Sequence, residues 1–149
     1  MAIIEGFDIP EDLHYYVEKH VWVKVEEDGN VRMGLTDTGQ HLAKKILFIR
    51  VKPPGVSTVY DKPIGTMESA KWVGPIAAPL NGVILEANPA LRSKPTLVNE
   101  KPYAEGWIAR ITPANLEEDL AKLVTGEKAL EDFKAEILAR GIKKSSELL

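Results

Sequence analysis

Lys71 is the residue of this sequence whose type and setting best suit chemistry. It lies between two short apolar runs in residues 65–83, and a second tight turn follows at 79–82. This second turn contains Asn-Gly, the strongest short-range signal for a turn between strands. We therefore expect the Lys71 amine at or beside a bend between strands, projecting into water. Most lysines in such a place are merely solvated, so the surrounding residues decide whether this amine has a role.

Few other reactive groups are available to this chain. It has no cysteine, which excludes disulfides, thiolate metal sites and a cysteine nucleophile. Its three histidines, His14, His20 and His41, are not spaced four residues apart, so a metal site is not expected. The sequence also lacks a glycine-rich phosphate loop and a G-x-S-x-G motif. If the protein takes part in chemistry, we expect the reactive group to be attached to it.

The composition is that of one soluble globular domain. The chain has 149 residues, of which 44% are hydrophobic and 28% charged, enough to bury a core without disulfides. A net charge of −3 gives no reason to expect nucleic acid as a partner. No apolar run approaches the roughly 20 residues of a membrane helix, and the first residues do not resemble a signal peptide. We therefore expect a cytoplasmic protein without a membrane partner.

Most of the predicted elements are short strands separated by turn signals. A polar turn at 26–30 joins the two strands of a hairpin, and its acidic residues are expected to form a solvated loop tip. Capping residues predict one short helical turn at 36–43, and residues 1–18 form a lead-in to the first firm strand. The strands themselves are expected at 21–25, 31–35, 47–51, 56–60, 83–87 and 107–111.

The last part of the chain is predicted to be helical. Residues 88–106, with three prolines and a glycine, are expected to form a loop. Thr-Pro at the start of 112–124 suits the beginning of a first helix, and a second helix follows at about 127–141. The tail 142–149 is expected to be frayed. The whole pattern predicts a mostly β fold, a barrel or sandwich, with short α-helices and C-terminal helices. The apolar face of the second helix comprises Leu130, Phe133, Ile137 and Leu138.

Five short motifs occur along the chain in a particular order. They are H-V-W-V at 20–23, G-L-T-D at 34–37, E-S-A-K at 68–71, P-L-N-G at 79–82 and L-V-N followed by P-Y-A-E-G-W within 97–107. In this order they resemble the glycine-cleavage H-protein family of lipoyl carriers. E-S-x-K alone would be a weak signal, whereas the ordered series is specific.

The resemblance covers most of the chain and implies its architecture. It implies a barrel-sandwich hybrid fold, as in lipoyl and biotinyl carriers. The chain, residues 1–149, would be a single lipoyl-carrier domain with a core at about 14–124. The helical extension at about 127–141 would then either dock a partner or cover an open end of the barrel.

By this resemblance, Lys71 is the lysine amidated by lipoic acid, and the protein is a non-catalytic carrier. Glu68 and Ser69 would be recognised by the ligase that attaches the lipoate, although stabilisation of the turn explains them equally well. Biotin carriers place methionine on both sides of the lysine, whereas the neighbours here are Ala70 and Trp72. A lysine beside a sheet-anchored turn gives a long arm the rigid platform that it needs.

Three positions depart from the pattern of H proteins that serve glycine cleavage. Where that pattern has a Glu, a His and an Asp around the arm, this chain has Val21, Thr38 and Pro75. A cationic aminomethyl group would lose charge-assisted hydrogen bonds worth roughly 1.5–3 kcal/mol each. Trp72 suits a neutral sulfur cargo, because sulfur–aromatic contacts contribute about 0.3–1.5 kcal/mol. Packing of this indole onto the barrel or a partner is the alternative.

The leading hypothesis is a lipoyl carrier that is not dedicated to glycine cleavage. It is similar to the lipoate-binding proteins of bacterial sulfur oxidation, whose partners would be a heterodisulfide-reductase-like complex and sulfurtransferases. The dithiol would pass on sulfur or reducing equivalents by thiol–disulfide exchange. The alternative is a glycine-cleavage H protein that carries the aminomethyl group from glycine decarboxylase to the aminomethyltransferase, with dihydrolipoamide dehydrogenase as a further partner. A third hypothesis, an unmodified protein-binding relative, is disfavoured by the intact E-S-A-K motif.

Overall fold

The computed structural model describes residues 2–142 and is built mostly from short strands. In chain order the strands are β1 (Ala2–Ile4), β2 (Phe7–Ile9), β3 (His14–Tyr16), β4 (Val21–Val25), β5 (Val31–Leu35), β6 (Ile46–Val51), β7 (Ser57–Thr58), β8 (Pro63–Ser69), β9 (Val73–Ala77), β10 (Gly82–Ala87), β11 (Ala109–Pro113) and β12 (Val124–Thr125). The helices are α1 (Asp37–Ala43), α2 (Ala90–Ser93), α3 (Leu97–Glu100), α4 (Leu116–Leu120) and α5 (Gly126–Arg140). The predicted mostly β fold with short helices is confirmed.

Two antiparallel sheets enclose the main core. Among the described residues, the larger sheet has seven strands in the order β12-β3-β4-β5-β11-β10-β7, and the smaller has three in the order β6-β8-β9. In the larger sheet, β4 and β5 form the predicted hairpin, with Val21 opposite Leu35. Side chains alternate across each strand, so one face of both sheets points inward. Both sheets contribute to the same buried cluster, which includes Val23, Met33, Ile64, Met67, Ile76, Ile84 and Ile111.

The C-terminal helix α5 packs against β1 and β3. Ala129, Phe133 and Ile137 recur every four residues and therefore share one face of the helix, and all three are buried. Phe133 meets Tyr15 edge to face, with ring centroids 4.9 Å apart. Leu138 is 61% exposed, so its predicted place on the inner face is wrong. It lies about 100° around the helix from Ile137, outside the buried stripe.

The predicted start of the first C-terminal helix is also wrong. Thr112 and Pro113 do not open a helix but end strand β11, because they pair with the first two residues of β10. The helix α4 begins only after Asn115, whose side-chain oxygen accepts a hydrogen bond from the N–H of Glu118 at 3.2 Å. Pairing with a distant strand thus overrides a local capping signal.

Other segments contain more regular structure than the sequence predicts. The lead-in at 1–18 includes β1, β2 and β3, and the loop expected at 88–106 includes α2 and α3. The strand expected at 56–60 is shortened to β7. The tail 142–149 is expected to be frayed, but its first residue, Ile142, is buried in a cluster with Phe7 and Ile137. Residues 143–149 lie outside the described residues. No helix within residues 2–142 is long and apolar enough to cross a bilayer.

Candidate functional site

Lys71 lies at the tip of the hairpin formed by β8 and β9, hereafter the Lys71 hairpin. Strand pairing runs as far as Glu68 opposite Val73, and the N–H of Ser69 donates to the carbonyl oxygen of Trp72 at 2.8 Å. Only a two-residue loop remains, with Lys71 in its second position. On its other side β8 pairs with β6, so the loop stands on a three-stranded base. The structure therefore places the lysine at a bend between strands.

The Lys71 side chain is exposed. Among residues 2–142 it takes part in no ion pair within 4.0 Å and in no side-chain hydrogen bond. No competing partner therefore has to be displaced before an enzyme can acylate the amine. The stem of the lysine is flexible and the sheet beneath it is rigid, which suits the attachment of a long group.

Glu68 and Ser69 precede the loop and have different surroundings. Ser69 is 5% exposed, and its hydroxyl oxygen accepts a hydrogen bond from the N–H of Lys71 at 3.4 Å. Glu68 is exposed between its cross-strand neighbours Phe48 and Val73, which are themselves 63% and 67% exposed. Within the described part of the chain Glu68 forms no ion pair. The structure thus builds Ser69 into the turn and leaves Glu68 available to a partner.

Trp72 follows the lysine and is 39% exposed. Its indole lies directly over Gly74, where an added Cβ atom would be 2.1 Å from Cζ2 of the ring. The same side chain lines a groove beside the hairpin. Trp72 therefore packs on its own strand and also borders open space next to Lys71.

The groove has a volume of about 380 Å³, within the usual range for small-molecule sites. It lies between the Lys71 hairpin, the start of β4, helix α1 and the last turn of α5. Its apolar lining includes Val21, Leu35, Leu42, Met67, Trp72 and Ile76, and its charged or titratable lining consists of Glu18, Lys19, His20 and Arg140.

Two of the three positions that depart from the glycine-cleavage pattern line this groove. Val21 and Pro75 both contribute apolar surface to it, so neither places a carboxylate there. Thr38 is 2% exposed, and its hydroxyl lies 3.0 Å from that of Thr36 at the start of α1. It therefore belongs to the helix start and not to the groove wall.

His20 is held in the groove wall by an unusual backbone. It has φ 63°, the left-handed conformation, at the end of a 3₁₀ turn over Val17–Lys19. Its Nδ1 atom is buried and has no hydrogen-bond partner among the described residues. Burial above all, then the nearby charges of Arg140 and Lys19, lowers the pKa of His20 from 6.5 to about 4. The imidazole is therefore neutral at pH 7.

Two cations border the groove, and the charge of each is partly neutralised by a neighbouring carboxylate. Lys19 Nζ lies 3.9 Å from an oxygen of Asp61, and both side chains are about half exposed. Arg140 Nε lies 2.5 Å from Oε1 of Glu136 one turn earlier in α5. Glu18 is the only carboxylate among the described lining residues, and it is exposed. Each cation of the described lining therefore has a carboxylate neighbour, and both cationic side chains remain about half exposed.

A sandwich of β-sheets with an exposed lysine on a hairpin tip defines a class of protein, the swinging-arm carriers. The family model described as glycine cleavage H-protein matches residues 14–136. Two relatives from Aquifex aeolicus (strain VF5) are named glycine cleavage system H protein 2 and 3. The first is 53% identical over 87% of this chain and 80% of that protein, and the second 46% identical over 89% and 84%.

A solved structure gives the same result. The crystal structure of a glycine cleavage system H protein from Mycobacterium marinum matches with a TM-score of 0.73 at 25% identity, covering 90% of this chain and 100% of that one. The chain belongs to the glycine cleavage H-protein family. Members of this family are non-catalytic carriers that hold lipoate covalently on a lysine, so this protein is a lipoyl carrier and not an enzyme. The predicted barrel-sandwich fold is confirmed.

Part of the groove lining has almost no signal in the sequence. Lys19, Met67 and Arg140 line it, yet they lie far apart along the chain and none belongs to a recognisable motif. Arg140 had only one local signal, its place in the last turn of a predicted helix, where cations are common. Within residues 2–142 no group of three or more His, Asp or Glu side chains could hold a metal ion.

Proposed function

We propose that this lipoyl carrier holds its arm on Lys71 and conveys a sulfur-bound intermediate or reducing equivalents between partner enzymes. The attachment site follows from the exposed amine, which has no ion pair among the described residues and lies in the E-S-A-K motif. The residues present suit the group: the amine can form the amide, and Met67, Trp72 and Ile76 offer apolar and polarizable surface beside it. When attached, the lipoyl group supplies a dithiol/disulfide couple.

The observation that carries the choice of cargo is the charge of the groove. Val21 and Pro75 contribute no carboxylate, and Lys19 and Arg140 are cations. A protonated aminomethyl group would therefore meet two cations and only one carboxylate of the described lining, the exposed Glu18, and it would lack the carboxylates whose places Val21 and Pro75 take. A sulfur-bound group, neutral or anionic, meets no such penalty.

The partners proposed here follow from this cargo. They are the ligase that attaches the lipoate, for which exposed Glu68 is available, sulfurtransferases that load the arm, and a heterodisulfide-reductase-like complex that unloads it. Trp72 shapes the surroundings of the arm. We also infer that the chain works as one unit with a core at about 14–124, because α5 buries Phe133 and Ile137 against the N-terminal strands.

Glycine cleavage is the second candidate, and the names of the relatives and of the solved structure favour it. In that role the arm would carry an aminomethyl group from glycine decarboxylase to the aminomethyltransferase, with dihydrolipoamide dehydrogenase as a further partner. One bacterium has H proteins numbered 2 and 3 among these relatives. Several H-type carriers in one organism leave room for a carrier with a different cargo.

The attachment site is tested by intact-mass measurement after incubation with a lipoate ligase. We expect one lipoyl increment on the wild-type chain and none on Lys71→Arg. The exposed lysine of strand β4 gives a matched control. Lys24→Arg is the same charge-conserving substitution at another site, and this variant should still accept one lipoyl group. Modification of Lys71→Arg at the wild-type level, or no increment on the wild type, would overturn the proposal.

The cargo is tested by reconstitution with glycine decarboxylase and the aminomethyltransferase. We expect glycine turnover at least about tenfold slower than with an H protein whose pocket pattern is intact, because each missing charge-assisted bond is worth more than 1 kcal/mol. The double substitution Val21→Glu and Pro75→Asp should raise this turnover. Full turnover with the unchanged chain would establish the second candidate and refute sulfur transport as the main role.

A further inference from the structure

We infer that the groove beside the Lys71 hairpin is an anion-recognition site, in which Lys19 and Arg140 select the negatively charged form of the sulfur group that the arm carries. This inference rests on the proposed function and specifies its cargo as an anionic sulfur group, such as a persulfide or a thiosulfonate. It also gives the C-terminal helix a role beyond covering the larger sheet.

The first support is the division of the groove into an apolar and a charged part. Met67, Trp72 and Ile76 come from the Lys71 hairpin, whereas Lys19 and Arg140 come from a 3₁₀ turn and from α5. An arm that starts from the hairpin tip would lie over apolar surface, and cations would be available only on the other walls. Such a site suits a chain that is apolar along its length and charged at its end.

The second support is that the cations retain donors for a further anion. Arg140 carries five N–H donors, and the carboxylate of Glu136 pairs with it at Nε. Lys19 is only 3.9 Å from Asp61, a distance at the edge of an ion pair between exposed groups. A second anion can therefore bind without breaking a strong pair.

The third support is the position of Arg140 in the fold. It occupies the last turn of α5, and that helix is anchored by Ala129, Phe133 and Ile137, which are at most 1% exposed. The helix ends at Gly141 with φ 64°, a left-handed cap that stops it directly after the arginine. The burial of one helix face thus holds a cation beside the groove.

His20 completes the polar lining without adding charge. Its buried Nδ1 has no hydrogen-bond partner among residues 2–142, and a buried polar atom without a partner is costly. A neutral imidazole can donate or accept one hydrogen bond there. The remaining charged lining residue, Glu18, is exposed to solvent. With Asp61 and Glu136 beside the two cations, the anion site depends on direct contact with Lys19 and Arg140 and not on a net positive charge of the groove.

The absence of cysteine makes a direct test possible, because the two thiols of a reduced lipoyl arm are the only thiols of the loaded protein. The lipoylated full-length chain is reduced and alkylated with iodoacetate, iodoacetamide or 2-bromoethylamine. Each thiolate displaces the halide and forms a thioether, which yields arms that end in negative, neutral or positive groups of similar size. Mass spectrometry first verifies lipoylation and then the alkylation of every sample.

Docking of the arm is measured by NMR through the indole N–H signal of Trp72 and the amide of Gly39, both in the groove lining. The indole of Trp22, buried and hydrogen-bonded to the carbonyl of Pro102 at 2.9 Å, is the internal reference. We expect the carboxymethyl arm to be docked about fivefold more than the aminoethyl arm, with the neutral arm between them. Equal docking of the three arms, or preference for the positive one, would overturn the inference.

Variants separate charge recognition from a structural role. Arg140→Gln and Lys19→Gln should each lower docking of the carboxymethyl arm about two- to fivefold, and Arg140→Lys should restore most of it. Lys134→Gln removes an exposed cation from the same helix and should have no effect. If Arg140→Gln fails to fold, Lys19→Gln alone decides the result.

Two outcomes separate the anion site from the attachment site. A chain that is lipoylated on Lys71 but shows no preference among the arms overturns only the anion site. A chain without any lipoyl increment overturns the attachment site, and the anion site with it.

Discussion

Two hairpins of this protein place an indole over a glycine, and they differ in what covers the ring. In the hairpin of β4 and β5, hereafter the Trp22 hairpin, Trp22 is opposite Gly34 and 1% exposed. A Cβ atom at Gly34 would lie 2.8 Å from that ring. In the Lys71 hairpin, Trp72 covers Gly74 but remains 39% exposed. An indole over a glycine, across two strands in one hairpin and along a single strand in the other, therefore supports a core in one place and an accessible surface in the other.

The tips of the two hairpins differ in the same way. At the tip of the Trp22 hairpin, Arg110 binds Glu26 at 2.8 Å, Glu86 at 3.2 Å and Asp28 at 3.5 Å, and its pKa is raised chiefly by the hydrogen bond to Glu26. The tip of the Lys71 hairpin has no such ion pairs among the described residues. Charges that are satisfied within the fold stabilise it, whereas charges left unpaired are available to other molecules.

The largest effect on stability should come from removing the indole of Trp22, and removal of the indole of Trp72 should have a much smaller one. Trp22→Ala should lower the free energy of unfolding by about 3–5 kcal/mol, because it leaves a cavity in a closed cluster. Trp72→Ala should lower it by less than about 1 kcal/mol, since its ring is already partly solvated. Urea unfolding of both variants measures the difference. Similar losses would show that both rings contribute equally to stability.

A smaller effect is expected from the pH dependence of His20, which leads into the Trp22 hairpin. The unfolded chain binds a proton here below pH 6.5, but the folded protein does so only below about 4. The unfolded state therefore binds more protons in this window, and stability falls as the pH is lowered from 6.5 to 4. His20→Asn, which tolerates the left-handed backbone, should remove about 3 kcal/mol of this loss, since each unit of pKa shift corresponds to about 1.4 kcal/mol. The measurement is the free energy of unfolding of the wild type and of His20→Asn between pH 4 and 6.5, and equal slopes for both proteins would contradict this expectation.

The ion pairs of the Trp22 hairpin should contribute less. Arg110→Gln removes the ion pair between Arg110, 22% exposed, and Glu26, 19% exposed. This substitution should cost roughly 1 kcal/mol of stability at low salt. The difference should shrink at high salt because of screening. Lys24→Gln, an exposed residue in strand β4, is the matched control. A cost that is independent of salt would indicate packing and not charge.

The smallest effect on stability is expected at Glu68. Glu68→Gln should leave the free energy of unfolding unchanged, because this exposed side chain has no ion pair within residues 2–142. It should slow lipoylation by the ligase about two- to fivefold, since charges at the rim of an interface mainly change association rates. Loss of stability with an unchanged lipoylation rate would support the alternative explanation, stabilisation of the turn.

Local signals predicted the elements around the site well. The helix α1 has the predicted start, with the hydroxyl of Thr36 accepting the N–H of Gly39 at 3.1 Å. The acidic turn at 26–30 was less predictable, because it is not simply a solvated tip. Its Glu26 is paired with Arg110, 84 positions away, and no local pattern identifies such a partner.

By itself, the sequence determined the turns, the alternation of the strands, the exposed lysine between them and, through an ordered series of motifs, the family. These features depend on residues a few positions apart, where backbone preferences and side-chain periodicity act directly. Only the tertiary structure decided the groove, because its walls bring residues 18–21, 67–76 and 140 together. Whether a charge is paired or available depends on which residues the fold brings beside it, and the sequence alone does not give the distances between residues far apart in the chain.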